Sequence, residues 1–516
     1  MNGADHLIET LLAGGVEVCF ANPGTSEMQF VSALDRHPAM RAVLCLFEGV
    51  ATGAADGYAR MAGGPASTLL HLGPGLGNGL ANLHNARRAF SPMVNIIGDH
   101  ATYHRRFDAP LSSDIAAIAA SNSIWVKSAE APGEIADLAC EAIAASRSPP
   151  GGPASLILPA DCAWSEVWPP ARRPVSVALR PKREGSPEQM RVVAERMARA
   201  VRPVLLIGSG ACREGALAAA GKIAATGVRV LTDTFIARLP RGAGRFLPDR
   251  MMYFGEMALA DLAAVDLMVL VETVPPVAFF AYPGKPSLLV PEGCETLTLA
   301  GRDEDGGAAL EALADHLAAG LPPRLEPSEI PERPTGPLTA TAVGATIARN
   351  LPEGAIVSDD SVTSGQPILN LTRGAPPHDW LGLTGGAIGL GMPLAVGAAV
   401  AAPGRKVISL NGDGAGAYTL QALWTLAREG LDATVVLFAN RSYRILSIEL
   451  GRTGAGNPGP AASSLLNLAP PPLDWKRLAE GFGVEAHSCG DAESFEVAFA
   501  EAMRRPGPRL IEAVLA

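Results

Sequence analysis

Two polar residues at the ends of consecutive apolar runs carry the clearest chemical signal in this sequence. The run KVISLN leads into Gly412-Asp413-Gly414, and the next apolar run, ATVVLFAN, ends on Asn440, 27 positions further on. That spacing is one strand-helix-strand crossover, and adjacent parallel strands finish at the same edge of a sheet, where α/β folds gather ligands. Glycines flanking Asp413 let backbone amides approach a phosphate, and the helix that follows turns its N-terminus toward it. A carboxylate at a phosphate site is repulsive unless a cation bridges the two. Asp413 with the amide oxygen of Asn440 therefore points to a hard divalent ion such as Mg²⁺, which keeps phosphate and protein oxygens in its octahedron. Taken singly, Asp413 also reads as a helix cap and Asn440 as a turn residue.

Those elements belong to a chain in which helix and strand signals alternate from end to end. DHLIETLLAGG is a helix stopped by Gly14-Gly15, VEVCFANPG a strand ending in a turn, and STLLHLGPG, SPMVNIIGD and ASLILPAD further short strands closed by Gly, Pro or Asp. Short continuous apolar strands suit parallel sheets covered on both faces. A first unit over 1–165 is followed by a proline-rich linker at 166–186. A Rossmann-like middle unit over 187–322 comes next, with strands RPVLLIGSG, GVRVLTD, VDLMVLVE and KPSLLVPE. A second linker at 323–337 leads to a third unit over 338–516. The expected fold class is α/β, with three doubly wound parallel-sheet domains.

Composition narrows the function classes. The 516 residues carry a net charge of −10 and no basic block, which leaves no footprint for nucleic acid. Seven scattered cysteines without Cys-x-x-Cys spacing suit a reducing compartment. The N-terminus lacks a basic leader and no stretch reaches the roughly 20 apolar residues of a membrane span, so the expectation is a cytoplasmic protein with no membrane or nucleic-acid partner. Several generic motifs fail. GSGACREG at 208–215 has Arg213 where a dinucleotide loop has its third glycine, so it reads as a tight strand-to-helix turn. His100 and His104 stand four apart but lie in loop-like sequence. Neither a Gly-x-Ser-x-Gly elbow nor a phosphate-loop lysine motif is present.

Gly412-Asp413-Gly414 with Asn440 resembles the magnesium and thiamine diphosphate motif of thiamine-dependent enzymes. NPGTSEM at 22–28, FEGVATGAADGYAR at 47–60 and LHLGPGLGNG at 70–79 resemble their pyrimidine-binding domain, and GGAIGLGMPLAVGAA at 385–399 precedes the diphosphate motif as in that family. The resemblance spans essentially the whole chain and is to the group holding acetolactate synthases and benzoylformate decarboxylases. It implies that Asp413, Asn440 and the backbone carbonyl of Ser442 bind Mg²⁺. By the same resemblance Glu48 hydrogen-bonds the aminopyrimidine ring, and Ile388 supports the bent cofactor. Thr363, Gly386, Gly412, Gly414, Ala415 and Tyr443 would line the diphosphate or the cofactor's rings. Ser26 and His71 match polar substrate-side residues, which with Glu48 make the expected catalytic set.

Three departures bear on substrate. Phe47 replaces the histidine common before the glutamate, Ala439 replaces the first Asn of the usual pair, and VAFFAYPGK at 277–285 lacks the second histidine of benzoylformate decarboxylase. The implied cofactors are thiamine diphosphate and Mg²⁺; residues that hold FAD in acetolactate synthases are not recognisable in the middle unit, which leaves FAD open but not predicted. The expected reaction is decarboxylation of a small 2-oxo acid with carboligation to a second carbonyl. The alternatives are simple decarboxylation, cleavage of a diketone or acyl-CoA, or cofactor binding without turnover. Because Glu48 and Asp413 belong to different domains, the resemblance also implies a homodimer or homotetramer with sites between subunits.

Overall fold

The structure is a computed structural model in which residues 1–167, 176–454 and 456–516 are described. The stretch 168–175, inside the first proline-rich linker expected from the sequence, lies outside the described residues.

Three α/β domains follow one another, each built on its own sheet. In the first, the strands run across the sheet in the order Arg41–Leu44, Val18–Asn22, Ala66–Leu70, Met93–Asp99, Pro153–Pro159, Trp125–Ser128, all parallel. The central strands are buried on both faces, as their unbroken apolar sequences require. Helices Gly3–Ala13 and Ile135–Arg147 contribute to the apolar cluster on one face, and Glu48–Ala62 and Leu72–Ala89 to that on the other.

The middle sheet runs Asp249–Arg250, Arg229–Thr232, Pro203–Ile207, Leu267–Val271, Glu295–Ala300, again all parallel. The sequence reading places a strand at KPSLLVPE. There, Leu288 makes only an isolated bridge to Val277, and the ladder strand is Glu295–Ala300 instead. Pro286 and Pro291 remove two ladder donors from the expected strand.

The third sheet has the order Glu485–Cys489, Arg509–Val514, Ala433–Ala439, Val407–Gly412, Ile356–Asp360, His378–Leu381, Leu239–Arg241. Its last strand comes from the middle of the chain and is its only antiparallel member, pairing His378 with Arg241 and Trp380 with Leu239. First and third domains share one apolar cluster, in which helix Glu48–Ala62 lies against helix Gly391–Ala401. The second helix is buried along its whole length except at its last residue, because both sheets' layers close over it.

Candidate active site

Strands Val407–Gly412 and Ala433–Ala439 are direct neighbours, with Gly412 in register with Phe438, so Asp413 and Asn440 leave the sheet at the same edge. Asp413 opens the short helix Asp413–Gly416 and is 4% exposed. Its Oδ1 accepts from the Gly414 amide at 2.9 Å and its Oδ2 from the Arg441 amide at 2.6 Å, which ties the carboxylate to the loop that carries Asn440 and Ser442. Burial pushes the Asp413 carboxyl above the usual range, against the amides that favour its ionised form. Arg441 takes up a left-handed backbone (φ +57°), and the Asn440 side chain accepts from the Ser442 amide at 2.9 Å. Tyr443 lies over Gly414, where a β-carbon would strike the phenol ring.

The loop with Ile388 is held from three sides. Gly386 (φ +73°) and Gly389 (φ +93°) make its two reversals. From the first domain, Asn85 Oδ1 accepts from the Gly385 and Ala387 amides at 3.1 and 3.3 Å, and Asn82 Nδ2 donates to the Gly389 carbonyl at 3.3 Å. From the third, Asp360 Oδ2 accepts from the Gly389, Leu390 and Gly391 amides at 2.7, 2.9 and 3.2 Å. Burial pushes Asp360 up to about 7 against those bonds. From the middle domain, Phe279 presses on Gly386 and packs edge-on or tilted against the rings of Phe235, Tyr253 and Phe280. Ile388 is half-buried and packs on the shared apolar cluster. Thr363 sits half-buried in the turn after strand Ile356–Asp360, next to Val362 in a left-handed conformation (φ +49°), and Ala415 is buried in the short helix after Gly412.

On the first domain, Glu48 is the first residue of helix Glu48–Ala62 and is 5% exposed; its Oε2 accepts from Asn78 Nδ2 at 3.0 Å. A β-carbon at Gly75 would stand 2.9 Å from Glu48 Oε1 and 3.2 Å from His71 Cβ, so Glu48 and His71 flank the same glycine. His71 Nδ1 pairs with Glu27 Oε2 at 2.8 Å, and the Gly24 amide donates to that same oxygen at 2.8 Å. Ser26 lies beside Glu27 in the turn Thr25–Glu27 and is half-buried. Glu27 is 4% exposed; burial raises its carboxyl, opposed by the hydrogen bond from His71, and its Oε1 has no partner.

The expected residues thus form two groups. Ser26, Glu48 and His71 gather on the first domain, and Asp413, Asn440, Ser442 and Tyr443 on the third. Among the described residues no hydrogen bond or ion pair joins one group to the other. Sequence reasoning missed Glu27, Asn82 and Asn85. The signal for the asparagines was available, since two amides three apart in LANLHNARR share one helix face; Glu27 gave none, because its partner His71 is 44 residues away. His100 and His104 have ring centroids 5.4 Å apart, and no cluster of three metal-ligating His, Cys, Asp or Glu residues occurs among the described residues. An ion at Asp413 would hence find one carboxylate, an amide and a carbonyl, an all-oxygen set that leaves coordination places for phosphate.

Three parallel-sheet domains, with a buried Asp at a glycine turn on one and a buried Glu on another, define the class of enzymes that work through a bound diphosphate cofactor. The chain belongs to the thiamine pyrophosphate enzyme family: residues 1–118 match its N-terminal TPP binding domain and residues 364–513 its C-terminal TPP binding domain. It is 53% identical, over 100% of its length and 99% of the relative's, to "Putative acetolactate synthase large subunit IlvX" of Mycobacterium tuberculosis. It is 28% identical, over 98% of its length and 97% of the relative's, to benzoylformate decarboxylase of Pseudomonas aeruginosa. A Rhodococcus jostii thiamine diphosphate-dependent 4-hydroxybenzoylformate decarboxylase has the same fold, with a TM-score of 0.88 at 24% identity, covering 100% of this chain and 99% of that one. The chain is therefore a thiamine diphosphate-dependent enzyme of carbon–carbon bond chemistry, in the group of acetolactate synthases and benzoylformate decarboxylases.

Proposed function

We propose that this enzyme decarboxylates a small 2-oxo acid and transfers the remaining acyl unit to a second carbonyl, as an acetolactate synthase does. The cofactor part of the reading rests on the buried Asp413, bonded through Arg441 to the loop of Asn440 and Ser442 at one sheet edge, and the ligation part on the 53% identity to the relative named as an acetolactate synthase large subunit. Asp413 Oδ, Asn440 Oδ1 and the Ser442 carbonyl would hold Mg²⁺, with Gly412, Gly414, Ala415, Tyr443 and Thr363 around the diphosphate. Ile388 and Gly386 would support the rings. When bound, thiamine diphosphate supplies the electron sink for loss of CO₂.

The chain's own groups do the rest. Glu48, held by Asn78 in a nearly water-free place, is set to exchange a proton with a ring nitrogen. His71 is fixed by Glu27 at Nδ1, and Ser26, the chain neighbour of Glu27, joins them in the substrate-side group. Phe279, set among Phe280, Tyr253 and Phe235, gives the cofactor loop an apolar neighbour at Gly386. Since among the described residues no hydrogen bond or ion pair links the Glu48 and Asp413 groups, a second copy completing each site in a homodimer or homotetramer suits the reading.

A second reading is simple decarboxylation, favoured by the Glu27–His71 pair, a proton-handling couple that could quench the product to an aldehyde. Turnover of pyruvate and larger 2-oxo acids with thiamine diphosphate and Mg²⁺ separates the two: acetolactate or another ligation product is expected, an aldehyde alone would replace the first reading with the second, and no CO₂ from any 2-oxo acid would overturn both. Glu48→Gln is expected to lower the rate by about a hundredfold or more while leaving cofactor bound.

A further inference from the structure

The middle sheet has the strand order of a dinucleotide-binding fold. Its first strand, Pro203–Ile207, is central, and the chain leaves it first toward Arg229–Thr232 and later toward Leu267–Val271 on the other side. In such sheets the crevice where the direction reverses takes a dinucleotide. The diphosphate lies over the glycine turn after the first strand, and a ribose hydroxyl meets an acid at the end of the second. Both parts exist here: Gly208-Ser209-Gly210 follows the first strand and Asp233 follows the second.

The crevice is filled from within. Glu272, the residue after strand Leu267–Val271, is 6% exposed and stands in a left-handed conformation (φ +52°) that disfavours any residue with a side chain. Its Oε1 accepts from the Gly306 amide at 3.0 Å, at the first residue of helix Gly306–Leu317, and from Lys182 Nζ at 2.5 Å. A β-carbon at Gly210 would overlap its Oε2, and one at Gly208 its backbone carbonyl. Next to it, Thr273 Oγ1 donates to Asp233 Oδ1 at 2.8 Å. The glycine turn and the acid that would face a dinucleotide already face the chain's own groups, and Glu272 is tied besides to the N-terminus of helix Gly306–Leu317.

We propose that the middle domain is a dinucleotide fold closed by its own side chains, with the Glu272 carboxylate in the diphosphate place, so that this enzyme takes no flavin dinucleotide there. An incoming diphosphate would meet a like charge with Lys182 already paired. Swinging Glu272 aside would break two bonds and strand a carboxylate in the interior. The inference is independent of which 2-oxo acid reaction the enzyme performs.

The test titrates FAD and ADP into the full chain loaded with thiamine diphosphate and Mg²⁺, read by calorimetry, by thermal melting and by flavin absorbance after gel filtration. No saturable heat, no rise in Tm and no retained flavin are expected. Flavin retained at one per chain, or a Tm raised by FAD, would overturn the proposal. Glu272→Gly, which suits the left-handed backbone, is expected to give a saturable heat with ADP where the parent gives none. A folded Glu272→Gly variant as indifferent to ADP as the parent would show that Glu272 does not close the crevice. Glu272→Gln, which keeps the shape and removes the charge, should shift ADP affinity in the same direction and serves if the glycine variant does not fold.

Discussion

At the scale of single residues, the pair Glu27–His71 shows how burial turns an ordinary acid into a positioning group. The Glu27 carboxylate faces Nδ1 of His71 at 2.8 Å, an arrangement that favours the ring tautomer with its proton on Nδ1. Glu27→Gln removes this preference without changing size. On the proposed reaction it should lower kcat by about a hundredfold, and 15N chemical shifts of the His71 ring should report a changed tautomer. Activity that needs ionised Glu27 is lost as pH falls through its carboxyl pKa, which burial raises. The acid limb of the parent's rate profile should therefore lie above the ordinary glutamate range and be absent from the variant's. The Gly98 backbone packs directly against this carboxylate, since a β-carbon there would overlap Glu27 Oε1.

At the scale of elements, helices Glu48–Ala62 and Gly391–Ala401 form one rigid unit, with Glu48 and the Ile388 loop near the same end, where Asn82 Nδ2 donates to both the Gly49 and the Gly389 carbonyls. The helices touch backbone to backbone. A β-carbon at Gly397 would collide with the Ala54 carbonyl, and one at Gly57 with that of Leu394. Gly397→Leu should cost about 3 kcal/mol or more, since neither helix can withdraw from the cluster that buries both. Gly64→Ala, where nothing lies within 4 Å, should change stability by less than about 0.5 kcal/mol. Urea unfolding midpoints of the two variants check the contrast. The sequence reads GVATGAADGYA as an apolar helix opened by Glu48, and GMPLAVGAA only as part of the segment before the diphosphate motif. It could not tell that they meet, since the small residues that permit the contact look like ordinary helix composition.

At the scale of the whole molecule, the three domains are bolted together by two arginines, Arg60 buried and Arg238 half-buried. Arg60 pairs with Asp56 in the first domain, donates to the Ala237 carbonyl at 3.1 Å in the middle segment and to the Gly382 carbonyl at 2.7 Å in the third. Arg238 joins Asp379 to the Arg60 carbonyl. Where strand Leu239–Arg241 crosses into the third sheet, His378 is fully buried, bonds the Pro376 carbonyl through Nδ1 at 2.8 Å, and leaves Nε2 unpartnered. Burial, with the charge of Arg241 beside it, lowers its pKa to about 3, so the folded protein keeps it neutral. Stability from a group depressed in this way is complete above the unfolded value near 6.5 and is lost as pH falls toward 3. By pH 4 the loss amounts to about 3 kcal/mol. Melting between pH 7 and 4 should show a steeper fall for the parent than for His378→Gln.

The sequence by itself determined the three α/β units, the strand ends that carry Asp413 and Asn440, and the helix that opens on Glu48. Each rests on local apolar periodicity and glycine turns, which act within a few residues. Only the tertiary structure decided which polar groups meet. The pairing of Glu27 with His71, the clasp of Asn82, Asn85 and Asp360 on the Ile388 loop, and the passage of Leu239–Arg241 into the third sheet join residues 29 to 307 positions apart. Their partners are set by how sheets and helices stack. The filled crevice of the middle domain has the same origin. Arg213 in the glycine motif hinted at it, but a carboxylate 62 residues beyond Gly210 closes it, and only the parallel strand order brings the two together.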